Sequence, residues 1–266
     1  MFHAQSLRPD PLLRDFIDNY FFIQTSFQEE YVRNDILPHV YQNMSFNLGG
    51  EDMVYDIRNQ EYVAPNIVAG PADSVCSLCV RKGMKRVIVN LKPGAWFQLF
   101  GIPARNFINR SENLENLIGK EITEFSRQLK AAELISRQVE LLNVFFLGCL
   151  SHKRKNKAGN IEEALRQIYL SKGNIAIKQL SRSAFITSRT LERYFLEQTG
   201  LFPKMFARIV RFSEVVKDLE RVSRVDWNAW VGRWGYYDQS HFINEFQFFA
   251  GCPPGRYPRA VAGLWP

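Results

Sequence analysis

The sequence predicts an α+β chain of two domains: a mostly antiparallel, barrel-like β domain that ends in a helical segment, then an all-α domain of two helix pairs joined by a long helix. Three observations predict it. Up to about residue 110, short β-branched or aromatic runs alternate with Gly and Pro turn signals, the pattern of hairpin-connected strands. From Glu121 onward apolar residues recur at helical spacing. Positive charge is gathered toward the C-terminus, so the two parts differ in electrostatics as well as in periodicity.

With 266 residues, 46% of them hydrophobic, the chain can bury one large core or two small ones, and disorder throughout is excluded. The apolar stretch 141–150 contains Asn143 and falls short of the ~20 residues of a membrane span, so no membrane partner is expected. Residues 1–10 lack a basic stretch followed by an apolar run, which predicts no export signal and a cytoplasmic protein. The four cysteines have no framework spacing and read as reduced thiols.

Strands are expected at 19–24, 42–48, 52–57, 67–69, 75–80 and 87–91, with turns at Gly49-Gly50, Gly70-Pro71 and Pro93-Gly94. Phe46, Tyr55, Trp96 and Phe97 are candidates to line an apolar pocket, although aromatic residues in such places are more often plain core. Cys76 and Cys79 have CxxC spacing within a strand, without a second Cys pair or a His nearby. Two small buried thiols are the default reading, and a zinc or redox pair the alternative.

Between 121 and 150 the apolar residues Ile122, Phe125, Leu129, Ala132, Val139, Leu142 and Phe146 predict one long helix or a helical pair. Its apolar face must be covered by the β domain, by a second subunit or by both. Residues 151–159 carry Lys153, Arg154, Lys155 and Lys157 with no acid and end in Gly, as an interdomain linker would. The predicted division is therefore 1–150, a β-rich sensor or dimerisation domain; 151–159, a basic linker; and 160–260, an α domain. Residues 1–150 hold 15 basic and 17 acidic side chains, whereas 160–266 hold 15 and 10, so the excess charge lies where a polyanion would be held.

In the α domain, Asn160 can cap a helix with Glu163 placed as in a capping box, and Gly173 stops it. Ile161, Leu165, Ile168 and Tyr169 share a face. A short helix with Ile177 and Leu180 follows, then a tight connection and a second helix capped by Thr187 or Ser188, with Leu191, Tyr194 and Phe195 inward: a helix-turn-helix unit. Its outer face presents Ser188, Arg189, Glu192 and Arg193. Gly200 ends this helix and Pro203 begins a long one, with an apolar stripe of Met205, Phe206, Ile209, Val216 and Leu219. A second unit starts at Asp226, with Trp227, Trp230, Val231 and Trp234 on its first helix, a turn at Gly235, and a helix opened by Asp238 or Gln239. There Phe242, Phe246 and Phe249 face the core; Gln239, Ser240, Asn244 and Glu245 face out, and His241 is read as packing.

The string Gly235-Tyr236-Tyr237-Asp238-Gln239-Ser240-His241-Phe242, with Phe246, Gly251, Pro253-Pro254 and Tyr257, resembles the signature of the AraC/XylS family of transcription regulators. Leu191, Arg193, Phe195, Gly200, Pro203 and Arg211 agree with it, and the resemblance spans about 160–260. It implies that the second helix of each unit enters a major groove of double-stranded DNA, the two grooves being adjacent. DNA contacts would come from Ser188, Arg189, Glu192 and Arg193 and from Gln239, Ser240 and Asn244. It also implies recruitment of RNA polymerase as output. Gly70-Pro71, the run Val87 to Leu91 into Pro93-Gly94-Ala95, and 109–119 resemble the β-rich sensor domain of one branch of these regulators, which implies a small-molecule effector or a homodimer contact. No enzyme activity, metal or cofactor is expected; the alternative is a thiol sensor using Cys76 and Cys79, fused to a DNA-binding module. The chain departs from the family at Ser181 and Val231, where Ala is usual, and at Gln247-Phe248, where a basic pair is common.

Overall fold

The computed structural model describes residues 1–51, 53–151, 161–221 and 227–257, at 227–229 by backbone alone. The basic linker beyond Ser151, the proposed cap Asn160, Asp226 and the Trp227 side chain lie outside the described residues.

Among the described residues ten strands form two antiparallel sheets. The six-stranded sheet runs in the order β1 (Phe2–Leu7), β2 (Ile17–Thr25), β9 (Lys85–Leu91), β4 (Gln42–Asn47), β7 (Asn66–Ala69), β10 (Ser111–Asn113). The four-stranded sheet runs β3 (Tyr31–Ile36), β8 (Cys76–Arg81), β5 (Val54–Asp56), β6 (Glu61–Tyr62). An apolar cluster of Ile23, Phe27, Val54, Val80, Met84 and Ile88 holds the sheets face to face. The six predicted strands all occur, whereas β1, β3, β6 and β10 are additional. β1 is an edge strand with four exposed residues in its middle, and β6 and β10 are two and three residues long, too short for a periodic signal.

Strand alternation sends Tyr20, Phe22, Met44, Phe46, Val68, Val87, Val89 and Leu91 to the outer face of the larger sheet. This face is covered by α1 (Ala95–Phe100), α2 (Leu114–Ile118), α3 (Glu121–Ala131) and α4 (Ile135–Ser151), through Trp96, Leu99, Leu114, Ile122, Leu129, Leu142 and Phe146. The predicted apolar face of 121–150 is thus a helical pair covered by the sheet. Its interruption falls at 132–134, where Gln138 Nε2 donates to Leu129 O (3.2 Å) and Ala132 O (2.8 Å), satisfying carbonyls that the end of α3 leaves open. Asn143, polar within its apolar run, accepts from Tyr20 Oη (2.9 Å) and from Asp10 N (3.0 Å) and ties α4 to the sheet. Phe46 and Trp96 are fully buried in this outer core, so they line no pocket.

The C-terminal region contains α5 (Glu162–Leu170), α6 (Ile177–Ser183), α7 (Ser188–Thr199), α8 (Pro203–Arg221), α9 (Trp227–Arg233) and α10 (Gln239–Ala250). They share one apolar cluster built on α8, in which Leu191, Phe195, Phe206, Phe212, Phe242, Phe246 and Phe249 are essentially inaccessible. Trp230, Val231 and Trp234 join it, so the larger Val231 is accommodated. The capping box involves Asn160 and so lies outside the described residues. α5 opens on Ile161, which has no side-chain acceptor, and Glu163 binds Arg166 and Gln167. Among the described residues no helix is long and apolar enough to cross a membrane.

Candidate nucleic-acid interface

The two helix pairs are closed by one hydrogen-bond pattern used twice. After α6, Phe185 N donates to Arg182 O (3.1 Å) and Ile186 N to Ser181 O (3.0 Å). After α9, Gly235 N donates to Gly232 O (3.3 Å) and Tyr236 N to Val231 O (3.1 Å), each group 50 positions beyond its counterpart. Phe185 and Gly235 both have left-handed backbone, at φ 54° and 68°. Glycine suits that conformation and explains the legible turn in the second unit, whereas a phenylalanine there gives no sequence signal.

Each following helix is capped by the side chain ahead of it. Thr187 Oγ1 accepts from Thr190 N (3.2 Å), and Asp238 Oδ1 from His241 N (2.7 Å). On α7, Leu191 and Phe195 are buried and Tyr194 is half-buried, leaving Arg189, Glu192 and Arg193 exposed on the opposite side. Arg193 lays its guanidinium 4.8 Å from the Tyr194 ring centroid. Ser188 is half-buried, and its hydroxyl donates to Ser181 Oγ (3.3 Å); Ser181 donates in turn to Lys178 O (3.1 Å). The serine that replaces the usual alanine is therefore satisfied.

On α10, Phe242, Phe246 and Phe249 face the core and Gln239, Ser240 and Asn244 are exposed. Glu245, expected outward, is buried, with its carboxylate between Arg208 Nε (2.8 Å) and Arg211 Nη2 (2.6 Å) of α8. Its position between Phe242 and Phe249 places it on the core face, and the two arginines make a carboxylate tolerable there. His241 is exposed rather than packed, its ring edge-on to Tyr236. Two exposed aromatics that the sequence reading did not single out, Phe185 (95% exposed) and Tyr237 (92%), stand at the two turns.

Charge divides the units further. The first helix pair carries Lys178, Arg182, Arg189 and Arg193, all exposed. The second has Arg233 as its one Lys or Arg, and this pairs with Asp218 (3.2 Å). Arg208 of α8, which could supplement it, is held by Glu245 and lies 5.3 Å from the Phe248 ring centroid.

The β domain docks against the far end of α7. Gln42 Nε2 donates to Gln198 O (3.3 Å), and a Cβ on Gly200 would lie 2.9 Å from Ala104 O. Beside this contact a cavity of about 620 Å³ separates the domains, lined by Ile36, Leu37 and Tyr41 on one side and Phe212, Val216 and Tyr257 on the other.

Residues 180–260 match the family model of a helix-turn-helix domain, of the AraC type. The C-terminal region is therefore a helix-turn-helix domain of the AraC type. Residues 5–113 match a second model, a domain of unknown function, DUF6597. No protein of curated function matches the chain. Similar solved structures include ToxT from Vibrio cholerae O395, 11% identical over 99% of both chains with a TM-score of 0.43. A second ToxT crystal form is 12% identical over 96% of this chain and 97% of that one, with a TM-score of 0.42. The AraC-like transcriptional activator CuxR is 13% identical over 80% and 86%, with a TM-score of 0.24.

The two cysteines with CxxC spacing do not form a working pair. Cys76 and Cys79 are three residues apart on β8, hence on opposite faces and roughly 10 Å apart along the strand, beyond disulfide reach. Burial, with Asp56 adding, pushes the Cys76 thiol up to about 11, so it is scarcely a thiolate at neutral pH.

Proposed function

We propose that α7 and α10 enter successive major grooves of double-stranded DNA, and that residues 1–150 control their binding through a small-molecule effector. The supporting observation is the repeated turn geometry, which presents a capped helix with an exposed polar face twice in one chain. Arg189, Glu192 and Arg193 on the first helix and Gln239, Ser240 and Asn244 on the second are the proposed base readers. Ser188 stands in the first turn of α7, where a backbone phosphate approaches a helix N-terminus. Phe185 and Tyr237 add apolar rings at the two entry points. Residues 160–260 are thus the reading part and 151–159 a basic connection to it. The docking of the β domain on the end of α7 gives an effector a route to the first reader. RNA polymerase as a further partner and a homodimer belong to the same reading.

The unequal charge predicts unequal contributions. Arg193→Ala is expected to weaken specific binding by about 1–3 kcal/mol, and Asn244→Ala by clearly less. Mobility shifts on a DNA site recovered by selection from a random pool measure both. The reverse order would remove the asymmetry, and a selection that yields no shared motif would remove the DNA-reading assignment itself.

A further inference from the structure

The inner face of the larger sheet is unexpectedly polar. Met44 and Phe46 of β4 and Val87, Val89 and Leu91 of β9 pack outward on the helices. Alternation therefore turns Asn43, Ser45 and Asn47, and Arg86, Ile88 and Asn90, toward the second sheet, where they pair across the ladder as Asn43↔Asn90, Ser45↔Ile88 and Asn47↔Arg86.

Arg86 is 6% exposed, and among the described residues its hydrogen-bond partners are neutral. Its Nε donates to Ser45 Oγ (2.8 Å), and Nη2 to Pro65 O (2.9 Å) and Ala64 O (3.4 Å). Among the described residues no carboxylate lies within ion-pair distance of it. Burial lowers its pKa to about 10, which leaves it a cation at neutral pH. A buried cation without an anion is costly, and such groups are usually paired.

Arg86 lines a cavity of about 140 Å³ between the sheets. Asn43, 7% exposed, lines it too, and its buried Oδ1 has no hydrogen-bond partner. The rest of the wall is mainly apolar, including Ile36, Val54, Leu78, Val80 and Ile88. Of the other charged groups there, Asp56 spends both oxygens on Arg58 N, Asn59 N and Asn59 Nδ2, and Arg110 pairs with Glu112. A space of this size holds a six-carbon ring.

We propose that this cavity binds a compact organic monocarboxylate, with Arg86 as its counter-ion and the apolar wall around its body. The assignment rests on the effector-controlled reading above and gives that effector a chemical class. Ile36, His39 and Asn43 line both this cavity and the larger one between the domains. Gln42, the neighbour of Asn43 on β4, holds the end of α7, so occupancy is placed one residue from the interdomain contact.

The test titrates the full-length protein with cyclohexanecarboxylate and with its neutral counterpart cyclohexylmethanol, read by calorimetry and by thermal shift. The carboxylate is expected to bind and raise Tm, the alcohol to do neither. Arg86→Met is expected to weaken carboxylate binding by about 10- to 100-fold. Val80→Phe keeps Arg86 but fills the space for the ring, and is expected to weaken binding comparably, so the proposal stays testable should Arg86→Met not fold. No binding of the carboxylate to the wild type, equal binding of the alcohol, or undiminished binding to either folded variant would overturn it. Mobility shifts in parallel separate the two readings. Carboxylate binding that leaves DNA affinity unchanged supports the cavity and overturns effector control; DNA binding with no carboxylate binding overturns the cavity alone.

Discussion

Glu245→Ala is expected to destabilise the C-terminal helical region by about 3–5 kcal/mol and to remove DNA binding with it. The carboxylate is 5% exposed and is the anion for both Arg208 and Arg211. Arg208 can turn outward, being 28% exposed. Arg211 cannot: it is 9% exposed as a residue and its guanidinium lies 4.3 Å from the Tyr236 ring centroid. Alanine therefore leaves a cation buried without its partner, which is the costly half of a buried ion pair. Glu245→Gln keeps the shape and an acceptor and is expected to fall between. Burial works to raise the Glu245 pKa, but the hydrogen bond from Arg208 and the charge and hydrogen bond of Arg211 outweigh it and hold the carboxyl below its ordinary range. A depressed carboxyl contributes its stability in full above the unfolded value of about 4.3 and loses it as pH falls through the lower folded value. The wild type should therefore lose this contribution on acidification below about pH 4, and Glu245→Ala should show a correspondingly flatter acid limb. Urea melts at neutral and acid pH measure both effects. A loss under about 1 kcal/mol at neutral pH would show that Arg211 finds another anion or water.

The same glutamate shows where the sequence stops being legible. Periodicity marks the face of Phe242, Phe246 and Phe249, but a Glu on that face reads as outward until the two arginines, 34 and 37 positions earlier, are known to meet it. Gly235 and Asp238 announce a turn and a cap through their own chemistry, whereas the matching turn residue Phe185 is held in the left-handed region by the helices around it. The fold class and strands β2, β4, β5, β7, β8 and β9 follow from local pattern; β1, β3 and the short strands β6 and β10 depend on partners that pattern does not name. On the inner sheet face a polar alternation was present all along as Asn43, Ser45, Asn47. It points to a cavity because every residue of β4 is buried, which only the second sheet makes evident.

Gly173→Ala is expected to cost about 3 kcal/mol or more, the sum of a left-handed alanine and an overpacked contact. Gly173 closes α5 at φ 78°, donating its N–H to Ile168 O (2.8 Å). A Cβ there would lie 2.1 Å from Ala207 O and 2.7 Å from Arg211 N. Both obstacles are backbone of the central helix α8, so no side-chain rotation relieves them, and α5 must withdraw. Ile161, Ala164, Leu165 and Ile168 would then lose the contacts that bury them in the shared cluster. Gly232→Ala is the matching control: a Cβ at that exposed position in α9 meets nothing within 4 Å, and helix propensity predicts a gain of roughly 0.5–1 kcal/mol. Thermal melts of the two variants should therefore move in opposite directions. The position of the clash links this glycine to the ion pair, since a displaced Arg211 backbone also displaces the guanidinium that Glu245 holds. Gly173→Ala and Glu245→Ala should consequently combine to less than the sum of their separate costs. Strict additivity would mean that α5 can retreat from α8 without disturbing the second helix pair.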